Sequence, residues 1–194
     1  MGRRPSEGAG AGAGVGAAQL FSLGEDASAA EFGVAVHRLL AEIEWSATDD
    51  DAENRARAWR ERGVAAPVAD EALACLRASE LAGVWRKSAG AEAWRERAFE
   101  LLVGDAWISG VFDRVVVERG ADDRAQRATV FDFKTDAIAG EADADAAVAR
   151  HAAQVNLYRR AVARLTGLAE SAVAAELVFT RLRRRVPVPA ASGS

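Results

Sequence analysis

The segment Val130-Phe-Asp-Phe-Lys-Thr135 carries an aspartate and a lysine two residues apart inside a β-branched and aromatic run. Side chains alternate along a strand, so Val130, Asp132 and Lys134 would share one face and Phe131 and Phe133 the other. The aromatics would anchor the strand in a core and present a carboxylate beside an ammonium. Taken alone, such a pair is most simply a half-exposed salt bridge. A second segment changes the weighing. In Gly110-Val-Phe-Asp-Arg-Val-Val-Val117, strict alternation puts Val111, Asp113, Val115 and Val117 on one face. An aspartate among valines is expensive unless its charge is compensated. A divalent cation shared by Asp113 and Asp132 on adjoining strands would compensate it. The competing partner, Arg114, points to the opposite face in that alternation.

Two helical segments add polar groups. In Gly33-Val-Ala-Val-His37 the glycine and histidine are one turn apart, so the missing side chain at 33 leaves room for a close approach beside the imidazole. A lone helical histidine is more often packed or capped than a ligand, and spacing alone does not decide between them. His151, Gln154 and Tyr158 fall on one helical stripe. That stripe could face water, or it could line a groove where an amide and a phenol meet phosphate or base.

The elements that must position these groups can be read from pattern. Ser28-Ala-Ala-Glu31 has the form of a capping box, opening a helix that carries Phe32, Val36, Leu39, Leu40 and Ile43 to about Trp45. Residues 46–63 are highly charged, with Asp49-Asp50-Asp51 expected as a turn before an arginine-rich helix. A further helical stretch near 69–86 carries Leu73, Leu76, Leu81 and Trp85. Strands are predicted at 98–103, 107–118 and 129–134, separated by turns at Gly104-Asp105 and at 120–124. A helix over 143–166 ends at Gly167, and strands follow at 173–180 and 186–188. Helices, a three-strand meander, a helix and final strands predict an α/β (α+β) arrangement, a sheet covered by helices. Residues 1–27, with alternating Gly and Ala from Gly8 to Gly16, are expected to be a flexible linker or tail before a domain at 28–190. A dinucleotide-binding loop there would need a preceding strand, and nothing strand-like precedes the glycines.

Composition narrows the classes. A chain of 194 residues suits one domain. A net charge of −4 and a pI near 5.4 argue against a histone-like packager coated in basic residues, while still allowing a local basic groove. Lys87 and Lys134 are the only lysines among many arginines, which makes Lys134 conspicuous. Cys75 is the sole cysteine, so no intrachain disulfide and no all-cysteine zinc or iron–sulfur site can form, and a reducing, cytoplasmic setting is expected. No stretch has the apolar length to cross a bilayer, and Arg3-Arg4 leads into Gly/Ala rather than the apolar core of a signal peptide.

In chain order, Gly33-x-x-x-His37, Glu96-Arg-Ala-Phe99, Gly110-x-x-Asp113-Arg114, Asp132-Phe-Lys134-Thr135 and Gln154-x-x-x-Tyr158 resemble the RecB/AddA-type branch of the PD-(D/E)XK nucleases. The resemblance covers roughly residues 28 to 188. Each motif is weak by itself; five in order are specific. The resemblance implies a restriction-endonuclease-like core, a mixed central sheet flanked by helices, and a deoxyribonuclease dependent on Mg²⁺ or Mn²⁺. It implies Asp113, Asp132, His37 and the Phe133 carbonyl as metal ligands, with Glu96 supporting a ligand or Lys134 from behind. Lys134 would orient the attacking water or stabilise charge on the phosphorane, and Gln154 and Tyr158 would position the DNA strand. Arg114 and His151, together with Arg159, Arg160 and Arg181, are candidates for DNA contacts, although solvated surface is the simpler reading of each arginine. Relatives that hold an iron–sulfur cluster use four cysteines, so this chain resembles the cluster-free side. Such relatives are C-terminal nuclease domains of helicase–nucleases acting in double-strand-break repair. No P-loop occurs here, so a helicase would be a separate domain or subunit. The expected activity is exonucleolytic on single-stranded DNA ends; the alternative is a DNA-binding or scaffolding domain of the same fold that has lost its chemistry.

Overall fold

The computed structural model describes residues 17–103, 105–136 and 141–191. Helix α1 spans Ala17–Ala41. It therefore starts upstream of Ser28, which lies exposed within it, and the expected capping box opens no helix. The physical reason is that Ala17, Ala18, Gln19 and Leu20 are good helix formers, and Ser–x–x–Glu is compatible with a helix interior as well as with its start. The remainder of the expected tail, residues 1–16, lies outside the described residues.

Helix α2 spans Asp49–Glu61. Its three aspartates form the first turn itself rather than a turn before it, where they complement the positive end of the helix dipole. Thr48 caps them, its hydroxyl accepting from the Asp51 N–H at 3.2 Å. Helix α3 (Ala66–Arg77) and the short α4 (Ala82–Trp85) complete the N-terminal helical layer. Five strands follow, β1 (Ala91–Val103), β2 (Ala106–Arg119), β3 (Ala125–Lys134), β4 (Val173–Phe179) and β5 (Arg184–Pro187), with α5 (Glu141–Thr166) between β3 and β4. The sheet order is β1-β2-β3-β4-β5. Only β3 and β4 pair in parallel, and α5 is the crossover that joins them. The mixed sheet with helices on both faces is the α/β architecture the sequence predicts.

Each sheet face buries its own core. One packs Val36, Leu40, Ile43, Trp59 and Trp85 of the N-terminal layer against Phe131, Phe133 and Val178. The other packs Val155, Tyr158 and Val162 of α5 against Phe112, Val115, Val117, Val130 and Leu177. Strand β3 alternates as expected, with Phe131 and Phe133 in one core and Val130 in the other.

Strands β1 and β2 do not alternate strictly. Trp94 and Phe99 are five residues apart yet both belong to the α5-side core, as do Phe112 and Val115, three apart. Both reversals bracket a single register point. The ladder pairs Arg95 with Arg114 and Arg97 with Phe112, and between those pairs lie Glu96 and Asp113. Glu96 adopts a left-handed backbone, φ 42°. The expected row of Val111, Asp113, Val115 and Val117 is consequently broken: Val115 and Val117 are buried while Val111 is exposed. Pairing of β2 with β3 also ends here, at Arg114 opposite Phe131, so Asp113 and Asp132 stand where the two strands part.

Candidate active site

Asp113 is the centre of a cluster drawn from four elements. Its Oδ1 lies 3.7 Å from His37 Nδ1 of α1, and its Oδ2 accepts from the Phe133 N–H of β3 at 2.7 Å. Because a strand residue turns its N–H and C=O to the same edge, the Phe133 carbonyl faces this same gap. Glu96 enters from β1: ligand atoms of His37, Glu96 and Asp113 all lie within 4.8 Å of one another. Asp132, almost wholly buried, is held by Lys134 Nζ at 2.6 Å.

The packing explains why α1 can deliver His37 here. A Cβ on Gly33 would sit 2.6 Å from Thr135 Oγ1, so any other residue lets the helix close on the end of β3 only if that hydroxyl or the helix shifts. One turn on, the imidazole stands edge-on to Phe133 at 5.9 Å, and that ring stacks on Trp85 at 5.6 Å.

The electrostatics are those of crowded carboxylates. Burial raises the Asp132 pKa, the charge of Asp113 raises it further, and Lys134 and His37 oppose both. Glu96 is raised by burial and then by Asp113. Burial by itself would lower His37, but its contact with Asp113 and the charges of Asp113, Asp132 and Glu96 outweigh it, and its pKa is raised. An imidazole nitrogen and several carboxylate oxygens that repel one another are a donor set suited to a hard or borderline divalent cation such as Mg²⁺ or Mn²⁺. The residues present fit such an ion.

The stripe on α5 closes the other side. Tyr158 is buried, edge-on to Phe99 and Phe112 at 5.6 and 5.5 Å, and its hydroxyl accepts from Gln154 Nε2 at 3.0 Å. Burial raises the Tyr158 pKa, the hydrogen bond from Gln154 opposes it, and the charges of Asp132 and Asp113 add to the rise. Gly110 makes room, since a Cβ there would meet the Phe99 ring at 2.9 Å and Tyr158 at 3.1 Å. His151 is half-buried, and desolvation followed by the charge of Lys134 lowers its pKa.

Two expected DNA contacts are overturned. Arg114 is buried, and its guanidinium donates to the carbonyls of Val84, Ile43 and Glu44 at 2.9, 2.7 and 2.5 Å while lying against the rings of Trp45 and Trp85. It pins the end of the α1 layer to the sheet and offers no face to a phosphate. Arg159 is likewise buried, donating to the carbonyls of Val173 and Val188. Arg160 and Arg181 remain exposed. Glu96, expected to support a ligand or Lys134 from behind, has a carboxylate oxygen within 4.8 Å of ligand atoms of both His37 and Asp113, close enough to share an ion with them. Its signal is a backbone reversal that no local pattern announces.

A family model described as the PD-(D/E)XK nuclease superfamily matches residues 11–191. Among curated proteins, none matches the chain. With the match spanning nearly the whole sequence, the chain belongs to the PD-(D/E)XK nuclease superfamily, whose members hydrolyse phosphodiester bonds with the help of divalent metal ions.

Proposed function

We propose that the chain is a Mg²⁺- or Mn²⁺-dependent deoxyribonuclease whose ion is held by His37, Asp113, Asp132 and the Phe133 carbonyl, with Glu96 as a further ligand. The observation that carries this reading is the convergence of His37, Glu96 and Asp113 beside the Asp132–Lys134 pair, where β2 and β3 part. When bound, the ion would acidify a water and neutralise charge on the scissile phosphate. The remaining work falls to side chains. Lys134, held by Asp132, would orient the attacking water and donate to the phosphoryl oxygens as negative charge builds there. Tyr158 and Gln154, tied to each other, would hold the strand against the carboxylates. We assign the substrate as single-stranded or frayed DNA ends and the setting as end processing of the RecB/AddA type, with a helicase supplying the strand.

The test is cleavage of end-labelled single-stranded DNA by the purified chain in Mg²⁺, Mn²⁺ or EDTA. Cutting should need the ion, and Asp132→Asn or Lys134→Met should abolish it while circular dichroism stays unchanged. Normal cutting by either variant would refute the site. A chain that neither cuts nor gains thermal stability from Mn²⁺ would instead be a scaffold of this fold.

A further inference from the structure

Beyond the point where β3 leaves, residues 97–103 of β1 and 106–112 of β2 continue together as a two-stranded arm. One face of the arm turns to α5: Phe99 is buried there, and Leu101 and Ile108 pack against the same core. The opposite face carries Ala98, Glu100 and Leu102 on one strand and Trp107, Ser109 and Val111 on the other, all exposed. Leu102 and Trp107 stand directly opposite each other in the register, 53% and 71% exposed, and Val111 is 42% exposed. The adjacent Leu102 and Trp107 form an open apolar patch at the arm's end, the kind of surface that serves as a binding site.

The root of the arm says what. Glu96 and Asp113, the residues from which the two arm strands spring, line the same hollow as Val34, His37, Arg38 and Ala41. Whatever lies along the arm's open face thus leads directly into the carboxylate cluster. Resting on the nuclease reading of that cluster, we infer that the open face of the arm is the seat of unpaired bases, with Trp107 stacking on a base of the single strand that enters the hollow. An open indole paired across the strands with Leu102, with Glu100 the only charged side chain among the six described on this face, recognises flat apolar rings rather than phosphates. A duplex hides its base faces; a single strand offers them. Arg38 at the hollow's rim, exposed, supplies a cation for the adjacent phosphate. The arm therefore makes the chain selective for single-stranded substrate.

Binding is measured on the full chain in EDTA, which separates it from turnover, using a labelled oligothymidine strand and a blunt duplex of the same length. The single strand should quench tryptophan emission and bind well, Trp107→Ala should lose the quench and weaken binding about tenfold, and Trp107→Phe should keep affinity within about threefold. Duplex affinity should not change. Unaltered single-strand binding by Trp107→Ala, or no single-strand binding at all, overturns the inference. So does a parent chain that sediments as a dimer while Trp107→Ala is monomeric, since a second copy would then occupy the face. A chain that stacks the strand on Trp107 yet never cuts would leave this inference standing and remove only the catalytic one.

Discussion

Replacing Arg114 with methionine separates a structural arginine from a DNA-binding one. The guanidinium satisfies three carbonyls: those of Val84 and Ile43 in fully buried bonds and that of Glu44 in a partly buried one. Methionine reaches none of them, and each buried acceptor left unpaired costs about 1–3 kcal/mol. Loss of the contacts with Trp45 and Trp85, at 5.1 and 5.0 Å, adds about 1 kcal/mol. Against this, burial pushes the Arg114 pKa down to about 10, a sign that holding the cation out of water is itself unfavourable, and methionine relieves that. The net loss should be about 4 kcal/mol, a large part of the roughly 5–15 kcal/mol that holds a domain together. With a urea slope of about 2 kcal/mol per molar, the unfolding midpoint should fall by about 2 M. Arg114→Lys, which can still reach one carbonyl, should lose about half as much. The salt dependence of DNA binding by the folded variant should match the parent, whereas losing a phosphate contact would lower that slope by about one. A midpoint shift below about 0.5 M, or a reduced salt slope, would refute the structural role.

Two more perturbations probe how the site is assembled. The folded pKa of His37 is raised, so in EDTA its protonated form should stabilise the chain fully below the ordinary imidazole value, and that contribution should vanish as pH climbs through the raised one. Metal needs the neutral ring, so the Mn²⁺ concentration for half-maximal protection should rise as pH falls; thermal melts of the parent and His37→Gln check both, and the rise should be steeper in the parent. Gly33→Ala should gain about 1 kcal/mol of helix propensity but force Thr135 Oγ1 away from 2.6 Å or lift α1. Cleavage should drop by about tenfold with little change in melting temperature, the size expected for a catalytic group displaced by a fraction of an ångström. Thr135→Ala in the same chain should restore it, and parental rates in Gly33→Ala would show that the close approach is immaterial.

What could be read in advance depended on how local the cause was. Strand β3 was legible because both its faces are buried, so period-two alternation of Phe131 and Phe133 against Val130 is obeyed and Asp132 and Lys134 stand out. Gly33 was legible for a similar reason, since the lack of a side chain one turn from His37 has few other uses. Strand β1 was seen only from Ala98 onward. Its first half, Ala91 to Arg97, is an edge strand whose Glu92 and Arg95 make ion pairs and backbone contacts instead of core, so it looks like loop in a hydrophobicity pattern. Arg114 was misjudged because an exposed arginine and one that clamps three carbonyls have the same sequence; only tertiary placement tells them apart. Asp49, Asp50 and Asp51 read as a turn because helix-start and turn chemistry favour the same residue types.

The left-handed Glu96 is where these threads meet. A non-glycine residue in that region costs about 1–2 kcal/mol per position, so the surroundings must hold it there. They do: immediately beyond it Phe99 stacks on Phe112 at 4.3 Å, and both rings meet the edge of Tyr158. The single reversal has two consequences that strict pleating forbids together. It brings a third acidic group toward Asp113, and it exchanges the faces of β1 beyond that point, so Phe99 enters the core while Leu102 turns outward opposite Trp107. Had β1 kept its alternation from Trp94, Phe99 would leave the α5-side core and Ala98, Glu100 and Leu102 would turn toward it, burying a carboxylate against α5. The reversals of β1 at Glu96 and of β2 at Asp113 thus shape the ion site and the open face of the arm at once, which is why both sit at the same place in the fold.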